Sequence, residues 1–146
     1  FPAYDAETPL LEEKKTSAPM ERGTETILAV EDDASMLELT RMLLERLGYR
    51  VYDAVTPEKA LAIAADRNGN IDLLLTDVIM PRMNGRALHT ALQQSYPGLK
   101  CLYMSGHDDN VIGEQGVLAE NVQFIPKPFT LKELAAGVRK ALDQTP

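Results

Sequence analysis

Four short polar clusters, each directly behind an apolar run, hold the residues of this chain best suited to chemistry: Glu31-Asp32-Asp33, Thr76-Asp77, Ser105-Gly106 and Pro126-Lys127-Pro128. In an open α/β sheet ligands bind outside the carboxyl ends of the strands, and that edge is where all four clusters fall if the runs are parallel strands. Carboxylates, a hydroxyl and an ammonium then converge on one rim. Two carboxylates about 4 Å apart repel by about 4 kcal/mol at an effective dielectric of about 20, so such a group calls for a counter-charge. Oxygen ligation without a His or Cys cluster favours Mg²⁺, which is held by one or two carboxylates together with waters and phosphate oxygens. Asp77 beside that cation can attack an incoming phosphoryl group. The Lys127 ammonium and the Ser105 hydroxyl would then stabilise the equatorial oxygens of a loose transition state.

The elements that must position these residues are legible as alternating apolar runs and amphipathic segments from Thr26 onward, the pattern of βα units around a parallel sheet. Ile27–Val30 is the first strand, and Met36, Thr40, Leu43, Leu44 and Leu47 follow at helical spacing until Gly48 stops the helix. Val51–Val55 is the second strand. Thr56 caps a helix that carries Pro57 in its first turn and Ala60, Leu61 and Ala64 on one face, and Asn68-Gly69 turns the chain. Ile71–Leu75 leads to a helix through Leu88, Ala91 and Leu92, broken at Tyr96-Pro97-Gly98. Cys101–Met104 leads to a helix over 108–119 weakened by Gly113 and Gly116, each costing about 1 kcal/mol against Ala. Val122–Ile125 is the fifth strand. Thr130-Leu131-Lys132-Glu133 is a capping box that opens a last helix burying Leu131, Leu134, Ala135, Val138 and Leu142.

Several residues have plainer readings. Asp33 directly precedes a periodic segment and reads as a helix cap rather than a ligand. Gly85 reads as backbone freedom in a tight loop after Asp77. His89 is a solvated helix residue and His107 a loop residue, neither at metal-ligand spacing. Met36, Met42, Met80, Met83 and Met104 read as packing residues, Phe124 can be simple core, and Cys101 reads as a small buried hydrophobe.

Taken together, Glu31-Asp32, Asp77 with Met80-Pro81-Arg82-Met83-Asn84-Gly85, Ser105-Gly106 and Lys127-Pro128-Phe129 resemble the motif set of response-regulator receiver domains over about residues 25 to 143. The resemblance implies a doubly wound (βα)₅ flavodoxin-like domain with a parallel five-stranded sheet of order 2-1-3-4-5. It implies a phosphorelay switch in which Asp77 takes the phosphoryl group of a phosphohistidine. Mg²⁺ would be held by Glu31, Asp32, Asp77 and the backbone carbonyl of Ile79, with Asp32 binding directly and Glu31 through water. Ser105 and Lys127 would contact the phosphoryl group, across a cis Lys127-Pro128 bond. Phe124 matches the family's switch aromatic, where other members carry Tyr. Glu31 stands where Asp is more frequent, which bears on metal affinity. Ile79 and His107 match positions that tune phosphoryl lifetime, and an apolar Ile79 would not orient attacking water, which favours a long-lived phosphoryl group. The switch itself would shift the face built around the fourth helix, fifth strand and fifth helix.

Composition bounds these readings. A chain of 146 residues, 45% hydrophobic and 25% charged, suits one compact domain. A net charge of −7 and a pI near 4.8 argue against direct nucleic-acid binding. No apolar run reaches the roughly 20 residues of a membrane span, so no membrane contact and a cytoplasmic location are expected. Residues 1–25, with Pro2, Pro9, Pro19 and Gly23, read as a linker or the tail of a preceding domain, and 26–146 as the receiver. The phrases Leu102-Tyr103-Met104-Ser105-Gly106-His107 and Gly116-Val117-Leu118 resemble receivers at the C-terminus of hybrid sensor histidine kinases. The partners implied are a sensor histidine kinase, or the chain's own upstream kinase domain, and a histidine phosphotransfer protein. Rival readings are a stand-alone response regulator, a Mg²⁺-dependent aspartyl phosphohydrolase and a receiver that binds partners without phosphate. Ile79, where such hydrolases place a second Asp, speaks against the hydrolase, and the filled chemical positions speak against the last.

Overall fold

The structure is a computed structural model that describes residues 21–67, 70–80, 83–105 and 123–143. Five strands, β1 (Thr26–Val30), β2 (Arg50–Ala54), β3 (Leu73–Asp77), β4 (Lys100–Ser105) and β5 (Gln123–Pro126), form one parallel sheet of order β2-β1-β3-β4-β5. The described helices are α1 (Ala34–Arg46), α2 (Pro57–Arg67), α3 (Gly85–Gln93) and α4 (Leu131–Asp143). The expected fold and strand order are therefore present. The expected helix over 108–119 and His107 lie outside the described residues, as do the Asn68-Gly69 turn, Pro81 and Arg82.

β1 and β3 are buried along their whole length because helices cover both faces of the sheet, which is why they read as unbroken apolar runs. Side chains still alternate between faces. Ile27, Leu73, Leu75, Leu102 and Met104 pack with α1 and α4 in one core, whereas Leu28, Val30 and Leu74 pack with α2 and α3 in the other. Strand boundaries move by a residue or two from the sequence expectation. Ile71 and Asp72 precede β3, with the Asp72 carboxylate accepting from the Thr26 amide at 2.9 Å, and β3 extends to Asp77. β5 begins at Gln123 and runs through Pro126, the expected start at Val122 lying outside the described residues.

The expected caps are made. Thr56 Oγ1 accepts from the Lys59 amide at 3.1 Å, and Thr130 and Glu133 exchange both bonds of the capping box at 2.8 and 3.0 Å. Gly48 follows α1 with φ of 101°, the left-handed conformation that suits a helix stop. Three expectations are corrected. Met42 is 49% exposed, because the buried stripe of α1 is Leu37, Thr40 and Leu44 and position 42 falls on the opposite side. Phe124 is 55% exposed on the edge strand β5 and is not core. His89 is half-buried, with Nε2 2.9 Å from the Leu99 carbonyl, so it ties α3 to the turn before β4 instead of sitting in solvent. Cys101 packs against the α2–α3 core, and burial pushes its thiol well above the ordinary range, which fits an inert residue.

Candidate functional site

Four strands end side by side on the carboxyl edge, with Val30 paired to Thr76, Asp77 to Met104 and Ser105 to Pro126. Each end is then fixed locally. Behind β1, Asp33 is committed as the cap of α1, its carboxylate accepting from the Ser35 and Met36 amides at 3.0 and 3.2 Å. Glu31 and Asp32 are left between strand and helix. The Glu31 amide donates to the Ala54 carbonyl at 3.2 Å and its carboxylate accepts from the Asp33 amide at 3.1 Å, so the side chain turns inward and is only 2% exposed. Asp32 faces solvent.

Behind β3, the Val78 amide donates to the Met104 carbonyl at 3.3 Å, and the Gly85 amide closes the loop onto the Val78 carbonyl at 2.7 Å. Asn84 caps α3 through the Ala87 amide at 2.8 Å, a role the sequence reading passed over although Asn before a periodic segment is an ordinary cap signal. Gly85 itself has no positive φ, which corrects the expected reason for a glycine there. Proximity is the reason, since a Cβ on Gly85 would stand 2.2 Å from the Asp77 carbonyl oxygen. Thr76, fully buried, donates its hydroxyl to that same oxygen at 3.1 Å. Behind β5, the Lys127 amide donates to the Ser105 carbonyl at 2.7 Å and the Lys127-Pro128 bond is cis.

Glu31, Asp32, Asp77 and Lys127 are thereby brought together, although up to 96 residues separate them in the chain. Lys127 Nζ lies 2.7 Å from Asp77 Oδ1 and 3.0 Å from Glu31 Oε1. One ligand oxygen from each of Glu31, Asp32 and Asp77 lies within 4.8 Å of the other two. Ser105 is buried at the end of β4, and Ile79 stands two residues past Asp77 with its side chain turned to solvent. Burial pushes the Glu31 carboxyl above the ordinary carboxylate range, and the neighbouring Asp77 adds to this more than Lys127 offsets it. Burial, then Glu31, pushes the Asp32 carboxyl up as well. Burial alone would lower the Lys127 ammonium, but its bonds to Asp77 and Glu31 carry it above its usual value.

Three carboxylates against one ammonium leave an excess of negative charge that a divalent cation would cancel. The all-oxygen donor set of Glu31, Asp32 and Asp77 fits Mg²⁺, which is typically held by one or two carboxylates together with waters and phosphate oxygens. A cavity of about 410 Å³ lined by Asp72, Tyr96, Lys100 and Leu142 opens at the other end of the sheet, away from this chemistry. Among the described residues no helix is long and apolar enough to cross a membrane.

Comparison with known proteins agrees with the fold. The family model of the response regulator receiver domain matches residues 27–139. The chain is 34% identical over 143 residues to the sensor kinase CckA of Brucella abortus (strain 2308), covering 97% of this chain and 15% of that protein. It is 38% identical to the transcriptional regulatory protein CpxR of Escherichia coli (strain K12), covering 80% of this chain and 48% of that protein. It therefore spans less than half the length of either relative. Among solved structures, the receiver domain from the hybrid histidine kinase CckA superposes with a TM-score of 0.60 at 34% identity, over 81% of this chain and 99% of that one.

Proposed function

This chain belongs to the response regulator receiver domain family, and we propose on that premise that it takes a phosphoryl group from a phosphohistidine onto Asp77 in a Mg²⁺-dependent reaction. The observation that carries the reading is the Lys127 ammonium held 2.7 Å from Asp77 and 3.0 Å from Glu31 inside a cluster of three carboxylates. The carboxylates of Glu31, Asp32 and Asp77, with the backbone carbonyl of Ile79, would hold the cation. Bound there, Mg²⁺ would neutralise the cluster and polarise phosphoryl oxygens.

The remaining work belongs to the protein. An Asp77 carboxylate oxygen attacks phosphorus, forming an acyl phosphate as the bond to the donor histidine breaks. Burial excludes bulk water from the nucleophile, and Lys127 is already ionised and aimed at the oxygens that gain charge in the transition state. The Ser105 hydroxyl donates to the transferred group from the end of β4. The new group brings about −1.5 to −2 charge, which draws Ser105 and Lys127 toward it. Phe124, exposed on β5, is free to change rotamer as they move. A shift from about 1% to 99% active would require about 5.5 kcal/mol of differential stabilisation, which several charge-assisted contacts to a phosphoryl group approach.

The parent protein is read as a hybrid sensor histidine kinase, because the similarity to CckA runs through nearly the whole chain whereas that to CpxR covers 80% of it. The partners are then the chain's own kinase domain and a histidine phosphotransfer protein, in the cytoplasm. CpxR supports the second reading, a response regulator with its own output domain, and the length of the parent gene separates the two. Mass spectrometry after Mg²⁺ and acetyl phosphate tests the chemistry. A gain of one phosphoryl group on Asp77 is expected; no gain, or steady turnover of phosphomonoesters without a trapped group, would overturn it.

A further inference from the structure

The chain enters the domain through a second built arrangement, remote from the carboxylates. Arg139, in the third turn of α4, grips Glu25 in a two-pronged pair, Nη2 to Oε2 at 2.8 Å and Nη1 to Oε1 at 3.1 Å. The same guanidinium donates to the Arg22 carbonyl at 3.3 Å and to the Tyr49 hydroxyl at 3.4 Å, and Asp143 holds it from the next turn at 2.8 Å. The backbone is pinned independently, since the Gly23 amide donates to the Leu47 carbonyl at 3.2 Å and the Arg50 amide to the Glu25 carbonyl at 3.0 Å. Two glycines make room for this. A Cβ on Gly48 would stand 2.5 Å from the Gly23 carbonyl oxygen, and one on Gly23 would stand within 2.6 Å of Glu25, Tyr49 and Arg139 atoms at once. Residues 22–25 thus thread a notch between the end of α1 and the flank of α4 that leaves no room for a side chain at position 23.

We propose that Arg139, Glu25 and the Gly23–Gly48 contact form a latch that fastens the entering chain to α4 and links its strength to the state of the Asp77 site. The linkage half rests on the phosphoacceptor reading above; the latch itself does not. The route is short and physical. Lys127 touches Asp77, the capping box at Thr130 opens α4 three residues later, and α4 carries Arg139 as part of one helix packed on β4 and β5. When Lys127 re-aims at a phosphoryl group, the start of α4 is pulled and the guanidinium moves against a segment fixed to the end of α1. Whatever precedes residue 22 thereby reads the site from the opposite end of the sheet, without touching it. The pair is partly solvent-exposed and contributes little to global stability, so breaking it opens the segment locally instead of unfolding the domain.

Amide hydrogen exchange of the full chain tests both halves, with phosphorylation by Mg²⁺ and acetyl phosphate verified by intact mass. Arg139→Ala and, separately, Gly23→Ala are expected to speed exchange at residue 23 and Arg50 by about tenfold while the β3 amides stay protected. Phosphorylation of the wild-type chain is expected to change exchange at residue 23 by about threefold or more, and Arg139→Ala to erase that change. Unchanged exchange at residue 23 in both variants overturns the latch. A phosphorylated chain with unaltered exchange there overturns the linkage alone, and absence of the label overturns the phosphoacceptor reading together with the linkage.

Discussion

At the scale of single residues, the site is a balance among four charges, and each can be removed separately. Asp77→Asn keeps the shape of the nucleophile but not its charge, so labelling by acetyl phosphate is expected to vanish in a mass spectrum. Lys127→Ala leaves buried Glu31 and Asp77 without their ammonium; some labelling is expected to persist, while the accompanying change in shape, read by amide NMR, is lost. Equal switching in the two variants would contradict these roles. Asp32→Ala is expected to weaken Mg²⁺ binding by at least about tenfold, about 1.4 kcal/mol, in calorimetry. The pH dependence follows from the raised carboxyls of Glu31 and Asp32. A carboxyl raised on folding stabilises the metal-free protein below the ordinary carboxylate range, and that contribution is lost as pH rises through the folded value. Mg²⁺ binds the ionised form, so its effect on Tm is expected to grow as pH rises from about 4 toward neutrality. A Tm increment independent of pH would count against the carboxylate cluster as the metal site. Sequence order alone identified these residues because each follows an apolar run. It could not reveal that Lys127 bridges two acids, since that contact spans strands distant in the chain.

Helix starts and strand ends decide how accurately those residues are held. Gly85 lies against the peptide of Asp77, so Gly85→Ala must displace either α3 or the nucleophile. It is expected to cost about 1–3 kcal/mol in urea unfolding, as overpacking does, and also to slow labelling of Asp77. Gly48→Ala, strained at its positive φ but far from the site, is expected to destabilise without slowing labelling; parallel losses in both assays for both variants would remove the positioning role of Gly85. The caps at Asp33, Thr56 and Thr130 were legible because capping is local, one side chain meeting an amide two or three residues on. Asp72 was not legible as a clamp on Thr26, nor Arg139 as a grip on Glu25, because nothing local distinguishes those charges from solvated ones.

Across the whole molecule, two apolar layers hold the carboxyl edge in register, and apolar residues contribute according to burial rather than type. Leu134, completely buried between α4 and the sheet, is expected to cost about 2–5 kcal/mol when changed to Ala. Leu39 and Met42, 47% and 49% exposed on α1, are expected to stay within about 0.5 kcal/mol of wild type in the same urea titration. A large loss at either surface position would mean that α1 packs on something further. Period and punctuation in the sequence determined the βα alternation, the sheet order through the family resemblance, and the residue types at the strand ends, because burial on both faces and helix capping leave marks within a few neighbouring positions. Tertiary structure alone decided which carboxylates share Lys127, why position 85 must lack a side chain, that Phe124 and Met42 face outward, and how residues 22–25 are threaded beneath Arg139. Those outcomes depend on the packing of elements far apart in the chain, and a contact between distant residues leaves no periodic trace in either of them.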